Sequence, residues 1–154
     1  MTLTAKDIMV TAFDRINENA SVGTAVDMIL DGKVRTTGHK TISLMVTSDF
    51  GNHVGVITMF DILYHFRPAF LNYGIDGEHV DWEGQLSRFT TEIRKKKVKQ
   101  LMSSQVIGAL PDEHIMVILD RMIKNKYRRL PVLENGVPVG IVYISDIYHH
   151  LFKS

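Results

Sequence analysis

The chain contains no cysteine. Disulfides, thiolate nucleophiles and cysteine-ligated zinc are therefore excluded, and a reducing compartment suits it. It carries almost no net charge, +1 across 154 residues. Non-specific nucleic-acid binding needs a basic face, and this balance argues against one. No apolar run approaches the ~20 residues of a membrane-crossing helix. The opening Met1-Thr2-Leu3-Thr4-Ala5-Lys6-Asp7 lacks the apolar stretch of a secretory signal. A cytoplasmic protein with no nucleic-acid or membrane partner is expected. Catalytic signatures are also missing: there is no Ser-His-Asp order, no paired carboxylates and no glycine-rich phosphate loop before a helix. The seven histidines are scattered, and no metal site is expected. The reading is of a protein that is not an enzyme and requires no cofactor.

What is present instead is a repeat. Gly55-Val56-Ile57-Thr58-Met59-Phe60-Asp61-Ile62-Leu63 recurs as Gly140-Ile141-Val142-Tyr143-Ile144-Ser145-Asp146-Ile147-Tyr148. Upstream, Ala5-Lys6-Asp7-Ile8-Met9 recurs as Val98-Lys99-Gln100-Leu101-Met102. The period is far too long for a solenoid, so it reads as two copies of one small α+β unit. Half the chain would bury only ~60% of its unfolded surface and be marginal alone. Two halves packed on each other remove that difficulty. With no catalytic set in either half, the repeat points to ligand binding between paired units.

The copies lie 93 residues apart at Met9 and Met102 but 85 apart at Gly55 and Gly140. The first copy therefore has about eight extra residues, within 31–41. That stretch is polar and reads as a surface loop. It is either a tolerated insertion or a basic flap of Lys33, Arg35, His39 and Lys40 near a ligand.

Local patterns supply the elements. Ser21 caps a helix with Val22, Ala25, Val26, Ile29 and Leu30 on one face. Residues 42–46 and 54–57 form a hairpin, and Thr58 opens a helix ending near His65 or Phe66. In the second copy, Pro111-Asp112 starts a helix through Ile115, Ile118, Leu119, Met122 and Ile123. Leu130 to Leu133 and Val139 to Val142 form a hairpin, with Asn135-Gly136 suited to positive φ. Ser145-Asp146 leads into a last helix ending near Phe152. The division is 1–66 for the first unit, 67–97 for a connector and 98–154 for the second. The connector carries an amphipathic helix with Trp82, Leu86, Phe89 and Ile93 on one face. Its end, Arg94-Lys95-Lys96-Lys97, suits the negative pole of a helix. That apolar face is expected at or beside a homodimer interface.

The order Asp-Ile-Met, helix, strand, turn, Gly-Val-Ile-Thr-x-x-Asp-Ile-Leu resembles a cystathionine-β-synthase (CBS) domain. Arg128-Arg129-Leu130-Pro131-Val132-Leu133-Glu134-Asn135-Gly136, followed by Gly140-Ile141-Val142, resembles the same pattern. Two copies make a CBS pair, or Bateman module, covering about 1–66 and 95–154. The resemblance implies an α+β fold of two β-α-β-β-α units related by pseudo-twofold symmetry. It also implies a regulatory sensor, a homodimer, and an adenosine-containing ligand such as AMP, ADP or ATP between the copies. An unidentified regulated protein would read the bound state. S-adenosylmethionine, or a structural interaction module with no nucleotide, remains the alternative.

Carried onto this sequence, one site would use Thr58 and Asp61, with Ala12, Phe13, Ile42 and Ser43 around the base. His39 and Lys40 would supply positive charge. The Asp can accept from both ribose hydroxyls, and a helix start favours phosphate. A second site would use Asp146 with Ile107, Gly108, Arg128, Arg129 and Pro131. Tyr143 departs from the pattern, standing where Thr or Ser is expected. Thr-x-x-Asp is equally a helix-capping box, so Thr58 and Asp61 admit a purely structural role.

Overall fold

A computed structural model describes residues 3–32, 34, 40, 42–68, 82–104 and 107–153. Lys33, Arg35 and His39, residues 69–81 of the connector and Gln105-Val106 lie outside them. Among the described residues no helix is long and apolar enough to cross a membrane.

Each copy begins with a single helical turn, α1 (Ala5–Ile8) in the first and α5 (Val98–Leu101) in the second. The first copy continues with β1 (Arg15–Asn17), α2 (Val22–Leu30), β2 (Ser43–Thr47), β3 (His53–Thr58) and α3 (Met59–Phe66). The connector contributes α4 (Glu83–Arg94). The second copy has α6 (Ile115–Asn125), β4 (Arg129–Glu134), β5 (Val137–Tyr143) and α7 (Ile144–Phe152). Strand β1 runs parallel to β2, and β2 pairs antiparallel with β3, placing Ser43 opposite Thr58. Strands β4 and β5 pair antiparallel, placing Arg129 opposite Tyr143. Ala109 makes a parallel bridge to Val132, standing where β1 stands in the first sheet.

Local chemistry sets most boundaries. The Ser21 hydroxyl accepts from the Thr24 N–H at 3.1 Å and starts α2. Asn135 and Gly136 take φ of 53° and 80°, the two-residue turn that matches strand twist. One expectation fails. Helix α6 starts at Ile115, capped by the His114 ring, and not at Pro111-Asp112. The carbonyls of Pro111 and Glu113 accept from the N–H groups of Lys6 and Ala5, each at 3.0 Å. Docking of α1 takes the acceptors that an earlier helix start would have used.

That docking is reciprocal. The carbonyls of Glu18 and Ala20 accept from Lys99 and Val98, each at 2.9 Å. So α1 sits on the second copy and α5 on the first. The two apolar cores record the exchange. Ala5 and Ile8 are buried with Ile115, Ile118, Met122, Leu130, Val142 and Ile147. Val98 and Leu101 are buried with Ile16, Val22, Ile29, Leu44, Val46 and Ile57. Beyond each turn the chain joins the other copy's sheet. Val10 and Ile141 exchange both backbone hydrogen bonds, at 2.8 and 3.0 Å; Ser103 and Val56 do the same at 2.9 and 3.0 Å.

The recurring glycine and methionine now have a cause. A Cβ on Gly140 would stand 2.5 Å from the Met9 sulfur, and one on Gly55 would collide with the Ser103 carbonyl beside Met102. Only glycine admits the partner segment at this distance. The connector helix also packs on the chain itself. Ile93 is buried in the first copy's core, and Phe89 meets Phe66 edge-on at 6.1 Å. Leu86 remains exposed. The expected dimer-interface face is thus seated, for its last two members, on this protein's own core.

Gly55→Ala should lower the unfolding free energy by about 1–3 kcal/mol. Gly140→Ala should cost less, because the Met9 side chain can swing aside where the Ser103 backbone cannot. Urea unfolding of both variants checks this; equal losses would refute the backbone-contact explanation.

Candidate functional site

A cleft of about 580 Å³ opens between the copies. The first copy lines it with Ile42, Val56, Thr58, Met59, Phe60 and Asp61. The second lines it with Ser103, Lys126, Tyr127, Arg128, Arg129 and Pro131. Its size lies within the usual range for small-ligand sites.

Thr58 and Asp61 meet at the start of α3. Asp61 Oδ2 accepts from the Thr58 N–H at 2.9 Å and from the Thr58 hydroxyl at 3.0 Å. The Asp61 N–H donates to Thr58 Oγ1 at 3.1 Å. The capping box is therefore formed, and the Thr58 proton is committed to it. Asp61 Oδ1 makes no hydrogen bond with the described residues, so the cap leaves one carboxylate oxygen available. Thr4 and Asp7 form the same box at the start of α1, where both Asp7 contacts also fall on Oδ2. The motif is thus a helix start in both places, and the Asp61 copy lines the cleft.

The opposite wall is basic. Lys126 ends α6 in the left-handed conformation, φ 58°, and is followed by Tyr127, Arg128 and Arg129 on the way into β4. Three cationic residues and one carboxylate thus line the same cleft. Lys126, Tyr127, Val56, Met59, Phe60 and Ser103 were not anticipated from sequence. The Lys-Tyr-Arg-Arg run after a predicted helix was the available signal for the first two. Ser103 enters only because its segment crosses to the other copy.

The remaining candidates scatter. Arg128, Arg129 and Pro131, expected beside Asp146, line the cleft with Thr58 and Asp61. Lys40 donates to the Leu30 carbonyl at 2.6 Å, neutralising the end of α2, and is not among the cleft's lining residues. His39 lies outside the described residues. Ala12 is exposed, and Phe13 lies under the Arg15 guanidinium at 5.0 Å. The Ser43 hydroxyl is buried with no hydrogen-bond partner among the described residues. Tyr143 and Asp146 are buried, with Tyr143 packed against Met45 and Ile141.

Ile107 and Gly108 run along the outer edge of β4, Gly108 close against Pro131, but neither is among the cleft's lining residues. The Gly108 carbonyl accepts from Arg121 Nη1 at 2.9 Å, and Arg121 also grips Glu113 at 2.7 and 3.1 Å. This guanidinium hydrogen bond, aided by the Leu110 N–H, holds the Glu113 carboxyl below its ordinary value and outweighs partial burial.

Two α+β units with exchanged edges and a cleft between them define a tandem pair of one repeated domain. A model of the CBS domain family matches twice, over residues 5–67 and 98–153. The chain belongs to the CBS domain family. It is 35% identical over 94 residues to a zinc metalloprotease of Methanocaldococcus jannaschii, a stretch of 61% of this chain. It spans only 26% of that relative's length. Among solved structures it is similar to the CBS domain of a membrane protein from Sphaerobacter thermophilus. The TM-score is 0.72 at 22% identity, over 96% of this chain and 86% of that one. It is also similar to CBSX2, solved in complex with AMP, with TM-score 0.68 at 18% identity over 98% and 97% of the two chains. A third is a CBS domain pair solved with 5′-methylthioadenosine and S-adenosyl-L-methionine, with TM-score 0.66 at 20% identity over 98% and 97%. These identities establish the fold: a pair of tandem CBS domains.

Glu113→Gln should destabilise the protein by about 0.5–1 kcal/mol at neutral pH, as for a partly exposed ion pair. The folded-state pKa is lowered, so this stability is full above the unfolded glutamate value and lost as pH falls through the folded one. Wild type and variant should therefore converge in acid. A gap that persists unchanged in acid would refute a charge-based contribution.

Proposed function

We propose that this CBS pair is a non-catalytic regulatory sensor that binds AMP, ADP or ATP in the cleft between its copies. The observation that carries the proposal is the placing of Asp61, with one oxygen open, across from Lys126, Arg128 and Arg129. The carboxylate suits the two ribose hydroxyls, since hydrogen bonds to a charged acceptor are the stronger ones. The cations suit phosphate oxygens, which arginine can engage through two N–H groups at once. Ile42, Val56 and Pro131 offer apolar surface for the base. Two relatives of the fold were solved with adenosine compounds, which supports the same ligand class.

Phosphorylated ligands fit better than S-adenosylmethionine. Three cations against one carboxylate leave the cleft positive, and a sulfonium would add to that charge. A ligand touching both walls stabilises one relative setting of the copies, and a regulated partner would read that setting. A homodimer belongs to this proposal. Helices α3 and α7 expose Phe60, Leu63 and Tyr64 and Tyr148, Leu151 and Phe152, two apolar rows suited to a second copy. The other reading, an interaction module without nucleotide, draws on the burial of Tyr143 and Asp146.

Adenosine nucleotides should raise the melting temperature, by the equivalent of ~2.7 kcal/mol at ligand 100-fold above Kd. 2′,3′-Dideoxy analogues should not, and S-adenosylmethionine should act more weakly. Silence toward every adenosine compound at millimolar concentration would leave the interaction module.

Asp61→Asn separates cap from ligand contact. It should cost at most ~1 kcal/mol of stability, while nucleotide affinity falls at least tenfold, since charge-assisted bonds contribute ~1.5–3 kcal/mol. Reduced stability with unchanged affinity would assign Asp61 to the cap alone.

A further inference from the structure

The segment that brings cations to the cleft begins at an unusual backbone position. Lys126 has φ 58° and ψ 38°, in the left-handed region. Among the described residues, Asn135 is the one other non-glycine with positive φ. Asparagine visits that region through its short polar side chain, an aid that lysine lacks.

The fold explains the angle but not the residue. Helix α6 must turn sharply to enter β4. Its end is closed by the Tyr127 N–H donating to the Met122 carbonyl at 2.9 Å and the Lys126 N–H donating to the Ile123 carbonyl at 3.3 Å. A helix end of this form needs one left-handed residue, and glycine is its usual occupant. The charge has no local use either. Lys126 forms no ion pair with a described residue. The last turn of α6 already holds a cation for the helix pole in Lys124, which is paired with Asp120 at 3.0 Å. Lys126 does line the cleft, together with Asp61, Arg128 and Arg129. Residues held in sparsely populated backbone regions cluster at binding sites.

Burial along the segment orders its cations. Pro131 is buried, Arg129 is half-buried, and Arg128 and Lys126 are exposed. The chain thus rises from the floor of the cleft toward its mouth between positions 131 and 126. A ligand with its base at the apolar floor and its ribose at Asp61 would meet the arginines first. A longer phosphate chain is needed to reach position 126.

We infer that Lys126 is a specificity-determining residue that engages the phosphates beyond the first, and that a left-handed lysine is kept at the end of α6 for this contact. The inference rests on the nucleotide reading above and adds a preference for ADP and ATP over AMP.

The test is calorimetric titration of the intact protein with AMP, ADP and ATP. Wild type should bind ADP and ATP more tightly than AMP. Lys126→Gly should weaken ADP and ATP about tenfold, the scale of one charge-assisted hydrogen bond, and leave AMP within about twofold. Its melting temperature without ligand should rise by about 2–4 °C, because glycine takes the left-handed conformation freely. Lys126→Arg should keep the preference for the longer nucleotides. Lys126→Asn, which also suits the conformation, should lose it, and this variant carries the test should the glycine variant not fold. Equal weakening of all three nucleotides, or of none, would overturn the role of Lys126 and leave the nucleotide reading standing. A lower melting temperature in Lys126→Gly would overturn the claim that the lysine is kept against stability. Wild type that binds none of the three would overturn both readings.

Discussion

The exchange of α1 and α5 between the copies governs the rest of the structure. Each turn is too short to be a stable helix by itself. Each becomes ordered because its N–H groups meet backbone carbonyls of the other copy and its two apolar side chains enter the other core. The chain beyond each turn then closes the edge of the other copy's sheet. Exposed sheet edges invite unwanted pairing, and here the repeat itself covers them. The glycines at 55 and 140 follow from this contact, because the crossing segment lies where any side chain would stand.

The cleft depends on the same contact. Ser103 lines it as part of the segment that crosses to Val56, and Thr58, the last residue of that strand, follows Val56 by two residues. The strand delivers Thr58 and Asp61 to one wall. The end of α6, turned by left-handed Lys126, delivers the cations to the other. A cleft assembled from both copies is sensitive to their relative setting, which is the property the proposed regulatory role requires. The Arg121–Glu113 pair steadies the turn that receives α1 and so acts on the cleft only through the frame.

Sequence pattern revealed what is local. Ser21, Thr58 with Asp61, and Asn135-Gly136 act within three or four residues, and each behaves in the fold as its chemistry indicates. The amphipathic connector helix was legible as a helix, but its covering surface was not, because periodicity states that a face is buried without stating against what. The exchange was hidden for the same reason. Met9, Met102, Gly55 and Gly140 stood in plain view as repeated letters, yet nothing in their spacing says that each methionine meets the other copy's glycine. That crossing also explains why Arg128 and Arg129 line the same cleft as Asp61. The start of α6 was misplaced because Pro111 signals a helix start locally while α1 claims the carbonyls that follow it.

In its contacts the protein is a domain-swapped dimer written on one polypeptide. Every surface that joins the halves would serve equally well between separate molecules. The connector helix strengthens this, since α4, ahead of the second copy, and α5, which opens it, both cover the first. A chain broken between 68 and 82 would leave two fragments, each holding the piece the other lacks. Such fragments carry what they need for self-assembly, and the covalent link serves mainly to keep the two at high effective concentration.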